Sequence, residues 1–151
     1  MISISVKQNI TAKPSQVRDI LLEHEHLCRF FNARFSLIKA QNEAEISGGT
    51  GSVRQVSMLG GKFQERIINA DDKQISYQII GNKPVAHHRG DIYFRSNNSP
   101  VTSTASTTEI TYNISCKEPW WVPEFILGYL IKKDITQALK KLASHFKSAA
   151  L

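Results

Sequence analysis

Arg54, Glu65 and His88 are the residues whose types could do chemistry together in this chain. In the alternating segments that carry them, each falls on the side shared with aliphatic and aromatic residues, Tyr77 and Tyr112 among them. A cation, a carboxylate and an imidazole on an apolar face can hold the polar end of a ligand. They can equally act as electrostatic partner, base and acid at an enolisable ketone. A buried cation and anion must pair in either case, so their pairing does not separate a site from a structural ion pair.

Other chemistry-bearing patterns are weaker. His24, His26 and Cys28 stand close together, and His24 and Cys28 have the helical i,i+4 spacing that can hold a metal. The pattern is not His-Glu-x-x-His and no further ligand pair is near, so no metal site is expected. Gly48-Gly49-Thr50-Gly51 leads into a strand and lacks the Lys-Ser/Thr of a phosphate loop. There is no Gly-x-Ser-x-Gly, and Cys28 and Cys116 read as two buried thiols in a reducing cytoplasm rather than as nucleophiles. No cofactor is implied. Trp120-Trp121-Val122-Pro123, ahead of Phe125-Ile126-Leu127, has two readings. Both indoles pack under a helix start, or they form a lip at a cavity mouth that touches ligand and docks on a membrane beside lysines.

The elements that must position these residues follow from periodicity. Ile2, Ile4, Val6 and Ile10 alternate with polar residues, which predicts a half-buried strand and not a signal peptide. Pro14 suits the first turn of a helix, and the apolar spacing from Val17 to Phe31 predicts two short helices broken near His24. From about residue 35 to 117 the pattern is strand and turn, with a polar hairpin tip over 96–108. A two-residue loop at Gly60-Gly61 predicts Met58 opposite Phe63, Val56 opposite Glu65 and Arg54 opposite Ile67. A three-residue loop at Asp71-Asp72-Lys73 predicts Ile67 opposite Tyr77 and Glu65 opposite Ile79. Past Pro119 a helix of about 25 residues is expected, with Leu127, Ile131, Ile135, Ala138, Leu142 and Phe146 on one arc.

Length and composition bound the rest. With 151 residues, 41% of them hydrophobic, the chain makes one domain spanning 1–151 and is not disordered. No apolar run reaches the ~20 residues of a membrane span. The net charge of +6 matters only where it clusters, on Lys132, Lys133, Lys140, Lys141 and Lys147 of the last helix. With no zinc-finger spacing, RNP-like motif or arginine-rich arm, nucleic acid is not the expected partner. An anionic membrane surface is the better candidate. Nothing in the sequence fixes the oligomeric state.

A strand, two short helices, six strands and a long helix is the order of the helix-grip fold. The sequence resembles the START-like (SRPBCC) superfamily, and within it the polyketide-cyclase-like branch. The resemblance rests on Ile10-Thr11-Ala12-Lys13-Pro14, Leu27-Cys28-Arg29-Phe30, Gly51-Ser52-Val53-Arg54, Gln64-Glu65-Arg66-Ile67, Ile75-Ser76-Tyr77, His88-Arg89-Gly90-Asp91-Ile92 and Thr108-Glu109-Ile110-Thr111-Tyr112. It implies an α+β fold in which a curved seven-stranded antiparallel sheet wraps around the C-terminal helix and encloses a cavity for a hydrophobic ligand. The expected function is a cytoplasmic binding or carrier protein for a lipid-like or polycyclic small molecule. Arg54, Glu65, Tyr77, His88, Tyr112, Trp120 and Trp121 are its expected contacts. The alternative is a cyclase/dehydratase-like enzyme working through Arg54, Glu65 and His88; fold alone does not choose.

Overall fold

The alternating segments form seven strands and the two 3.6-residue patterns form helices at either end of the chain. The computed structural model describes residues 1–58, 61–81, 83–96 and 106–149, with residues 148 and 149 by backbone alone. Strand β1 (Ile2–Ile10) is followed by α1 (Pro14–Leu21) and a short 3-10 helix (His24–Arg29). Strands β2 (Arg34–Lys39), β3 (Val53–Met58), β4 (Gly61–Ala70), β5 (Gln74–Ile79), β6 (Ala86–Ser96) and β7 (Thr108–Lys117) lead to α2 (Glu124–Ala149). The polar tip expected over 96–108 lies largely outside the described residues.

The strands form one antiparallel sheet in the order β1-β7-β6-β5-β4-β3-β2. This is the expected α+β helix-grip arrangement. Helix α1 begins at Pro14, where a missing N–H costs nothing, and Gln16 Oε1 accepts the Lys13 N–H at 2.9 Å. It buries Val17, Ile20 and Leu21, then breaks at Leu22-Glu23 and re-forms as the 3-10 turn that directs His24 inward.

The β4–β5 register has Ile67 opposite Tyr77 and Glu65 opposite Ile79, as expected, with an irregularity between Ile67 and Asn69. The β3–β4 register differs from expectation by two residues. Arg54 lies opposite Glu65, Val56 opposite Phe63 and Met58 opposite Gly61. Residues 59 and 60, and with them part of the expected Gly60-Gly61 loop, lie outside the described residues. A two-residue slip keeps every side chain on the same face, so alternation of apolar residues cannot distinguish the two registers. The observed one sets opposite charges directly across the pair.

In α2, Ile135, Ala138, Leu139 and Leu142 are buried in one cluster with Ile10, Val17, Ile110 and Ile114. Leu127, Ile131 and Phe146 of the expected arc are half-buried. The lysines of this helix are exposed, and so are Phe125, Ile126, Tyr129 and Leu130. Cys116 is buried as expected; Cys28 is not, because the 3-10 turn faces it outward. Among the described residues no helix is long and apolar enough to cross a membrane.

Candidate functional site

Arg54 is the centre of a buried polar cluster. Its guanidinium reaches Glu65 Oε1 through Nε at 2.9 Å and Nη2 at 2.8 Å. Nη1 lies 3.2 Å from His24 Nδ1, and His24 Nε2 lies 2.8 Å from the Gly48 carbonyl oxygen. A carbonyl only accepts, so Nε2 carries the imidazole proton and Nδ1 accepts from Arg54. Gly48 can present that carbonyl because it sits at φ +74°, and a Cβ there would strike the Leu22 carbonyl oxygen. Aromatic rings close over the cation: the guanidinium carbon lies 4.9 Å from the Tyr77 ring centroid and 5.2 Å from that of Phe35.

The electrostatics follow from this packing. Burial opposes the charge on Arg54, but Glu65 and then Tyr77 and Tyr112 outweigh it, and the group is held above its usual range. Burial, followed by the nearby Arg54 charge, lowers His24 from 6.5 to about 4, so its ring is neutral at pH 7.

Two tyrosines and a second histidine complete the cluster. The hydroxyls of Tyr77 on β5 and Tyr112 on β7 are hydrogen-bonded to each other. Burial raises both phenols, that of Tyr77 further by the proximity of Tyr112 and Glu65, so both stay protonated. Between their strands runs β6, whose Gly90 pairs with Tyr77. A Cβ on Gly90 would collide with the Tyr77 ring, so the missing side chain is what lets that ring lie across β6 toward Tyr112. His88 enters from the same strand within a bulge between Ala86 and Arg89, in which His87 takes φ +54°. The His88 ring lies 5.9 Å from that of Tyr77, and its buried Nδ1 has no hydrogen-bond partner among the described residues. Burial lowers its pKa, and the Arg54 charge acts in the same direction against Glu65.

These groups line one side of a cavity of about 160 Å³ between the sheet, the first helices and α2. Arg54, Glu65, Tyr77, His88 and Tyr112 all contribute to its wall. The rest is mainly apolar, including Phe31, Phe35, Phe63, Ile131 and Ile135, and the exposed Asn32, Met58 and Asp134 mark its open rim. Trp120 and Trp121 are not part of the lining. They stand exposed ahead of α2, neither packed under the helix start nor placed at this wall.

Sequence reasoning missed His24 as a partner of Arg54, having weighed it only as a metal ligand. The structure turns His24 inward and Cys28 outward, and among the described residues no group of three metal-ligating side chains forms. It also missed Phe35 and Gly48, which reach the cluster from separate segments. A glycine inside the alternating strand 86–96 was the available signal for close backbone approach at Gly90.

Solved structures share this architecture. The protein XoxI from Bacillus cereus superposes with a TM-score of 0.74 at 17% identity, covering 100% of this chain and 99% of that one. A protein from Nitrosospira multiformis gives 0.67 at 15% identity, covering 98% of each chain. An uncharacterised protein from Bacillus thuringiensis gives 0.66 at 17% identity, covering 95% of this chain and 98% of that one. At such identities the likeness is one of fold. No curated protein matches the sequence. A family model described as polyketide cyclase / dehydrase and lipid transport matches residues 1–147.

Proposed function

The chain belongs to the polyketide cyclase / dehydrase and lipid transport family, and from that premise we propose that it binds a hydrophobic small molecule without transforming it. One observation carries this reading. Arg54 and Glu65, the charged groups of the inner wall, are engaged with each other, and Arg54 also with His24, while Tyr77, Tyr112 and His88 beside them are neutral. Tyr77, Tyr112 and His88 offer hydrogen bonds to one polar end of a ligand whose body meets apolar side chains.

The volume limits what is enclosed. A cavity of about 160 Å³ accommodates roughly one aromatic ring. A polycycle or acyl chain therefore places its polar end at His88 and extends past Asn32 and Met58 into solvent. Two free thiols, one of them exposed, support carriage in a reducing cytoplasm.

Native mass spectrometry of the purified protein tests the proposal. An apolar compound bound to wild type and absent from Ile131→Trp, which fills the half-buried lining position, is the expected result. Retention of that compound in Ile131→Trp would place it elsewhere and overturn the assignment.

A second reading, a cyclase/dehydratase acting on an aromatic or polyketide-like ketone, draws on the unpartnered His88 Nδ1, a neutral base inside the cavity. Turnover by wild type that falls by roughly 10²–10⁴ in His88→Gln, at unchanged affinity, would favour it.

A further inference from the structure

The N-terminal half of α2 and the turn before it leave an apolar surface in water that nothing in the cavity requires. Trp120 is 96% exposed, Trp121 69%, Phe125 78% and Tyr129 66%, with Ile126 and Leu130 beside them also exposed. An amphipathic helix that only covers a sheet has a polar outer face. Here the outer face is apolar at its start and basic afterwards.

The geometry is that of a helix lying in a surface. At 100° per residue, Phe125, Tyr129, Lys133, Lys140 and Lys147 fall within about 80° of one another, and all five are exposed. They extend over about 33 Å of helix. The helix's two acids, Glu124 and Asp134, each lie about 140° from the centre of that arc. Glu124, like Glu118, is also drawn to the Met1 ammonium, at 3.7 and 3.4 Å respectively. An adjacent side of α2 rests on β1, where Gly128, about 100° from the centre of that arc, approaches Ile2 and Ile4.

We infer that this face docks the protein flat on an anionic phospholipid surface. Indoles and the Tyr129 ring are amphipathic groups that settle at the headgroup level, Phe125 enters the acyl boundary, and the lysines meet the lipid charge. A second copy is the poorer occupant, because it would bring lysines of the same sign against this face. The inference stands on α2 and the turn before it, and it does not depend on what the cavity holds.

Trp120 and Trp121 are the chain's two tryptophans, so indole emission reports on this patch alone. Emission and co-sedimentation are measured with vesicles of phosphatidylcholine and of phosphatidylcholine mixed with one-third phosphatidylglycerol. A blue shift and pelleting with the mixed vesicles are expected. Binding should be weaker by at least about tenfold on phosphatidylcholine alone or at high salt, since each lysine near the surface contributes about fivefold. Phe125→Ser/Tyr129→Ser should weaken binding by at least about tenfold at an unchanged thermal midpoint, because both residues are exposed. Lys133→Glu/Lys140→Glu should do likewise, with the fold equally intact. Absence of both signals with anionic vesicles at low salt overturns the inference, as does undiminished binding by Phe125→Ser/Tyr129→Ser. A concentration-dependent dimer in sedimentation velocity that this double variant abolishes would assign the face to a second copy instead.

Discussion

Where the C-terminal half of α2 covers the sheet, Ala138, Leu139 and Leu142 share one cluster with Ile10, Val17 and Ile110, and none of these lines the cavity. Toward β3, β4 and β5 the same sheet carries Arg54, Glu65 and Tyr77, and a cavity opens beside them. Both regions arise from two-residue alternation, and the same helix lies over both. The difference lies in what burial costs. Aliphatic side chains gain about 25 cal/mol for each Å² withdrawn from water, whereas a buried ion pair recovers little more than its own desolvation. The filled region holds the fold together. The polar region is a poor source of stability, and what it supplies is orientation: His24 and Glu65 fix Arg54, Arg54 underlies Tyr77, and Tyr77 meets Tyr112.

This contrast can be broken in several ways. The largest effect is expected from Glu65→Leu, which leaves Arg54 buried without its counter-ion and should cost about 3–5 kcal/mol in denaturant unfolding. The double change Arg54→Met/Glu65→Leu should recover most of that loss. A double variant as unstable as the single one would mean that the pair is a main source of stability after all.

In the filled region, Leu142→Ala should cost about 2–5 kcal/mol, since Leu142 is 1% exposed. A near-neutral result would show that α2 is not the cover of the sheet.

Acid distinguishes the regions next. His24 is held at about 4 when folded against 6.5 when free, so between those values the unfolded chain binds the extra proton. Stability is therefore complete above about pH 6.5 and falls as pH drops toward 4, by roughly 3 kcal/mol from this residue. His88, lowered by burial, adds in the same direction. Unfolding free energies from pH 7 to 4 should show this slope, and His24→Asn should flatten it.

Smaller still is Gly90→Ala, which drives the Tyr77 ring out of its place and should cost about 1–3 kcal/mol. Near-ultraviolet circular dichroism would register the tyrosine movement. Lys140→Ala, exposed on α2, should stay within about 0.5 kcal/mol of wild type.

The fold was largely legible because period switches at Thr11 and Pro119 and the turn residues between strands are local signals. Strand faces were legible for the same reason, and they placed Arg54, Glu65, Tyr77, His88 and Tyr112 together inside. Register was not, because Arg54 opposite Glu65 and Arg54 opposite Ile67 obey the same alternation. His24, Phe35 and Gly48 join Arg54 from segments far apart in the chain, and no spacing rule links them. The tryptophans posed a third kind of difficulty. Hydrophobicity identifies residues worth covering but not whether the chain has anything to cover them with, and here the described residues leave them exposed.

The central claim is an apolar cavity with one hydrogen-bonding end at His88 and the tyrosine pair. Calorimetric titration with para-ethylphenol and para-ethyltoluene, which differ by a hydroxyl in place of a methyl, tests it most directly. Wild type should prefer the phenol by at least about fivefold, the worth of one hydrogen bond, and His88→Phe should lose that preference while still binding the hydrocarbon. Equal affinity of wild type for the two compounds, or a preference that survives in His88→Phe, would contradict the account.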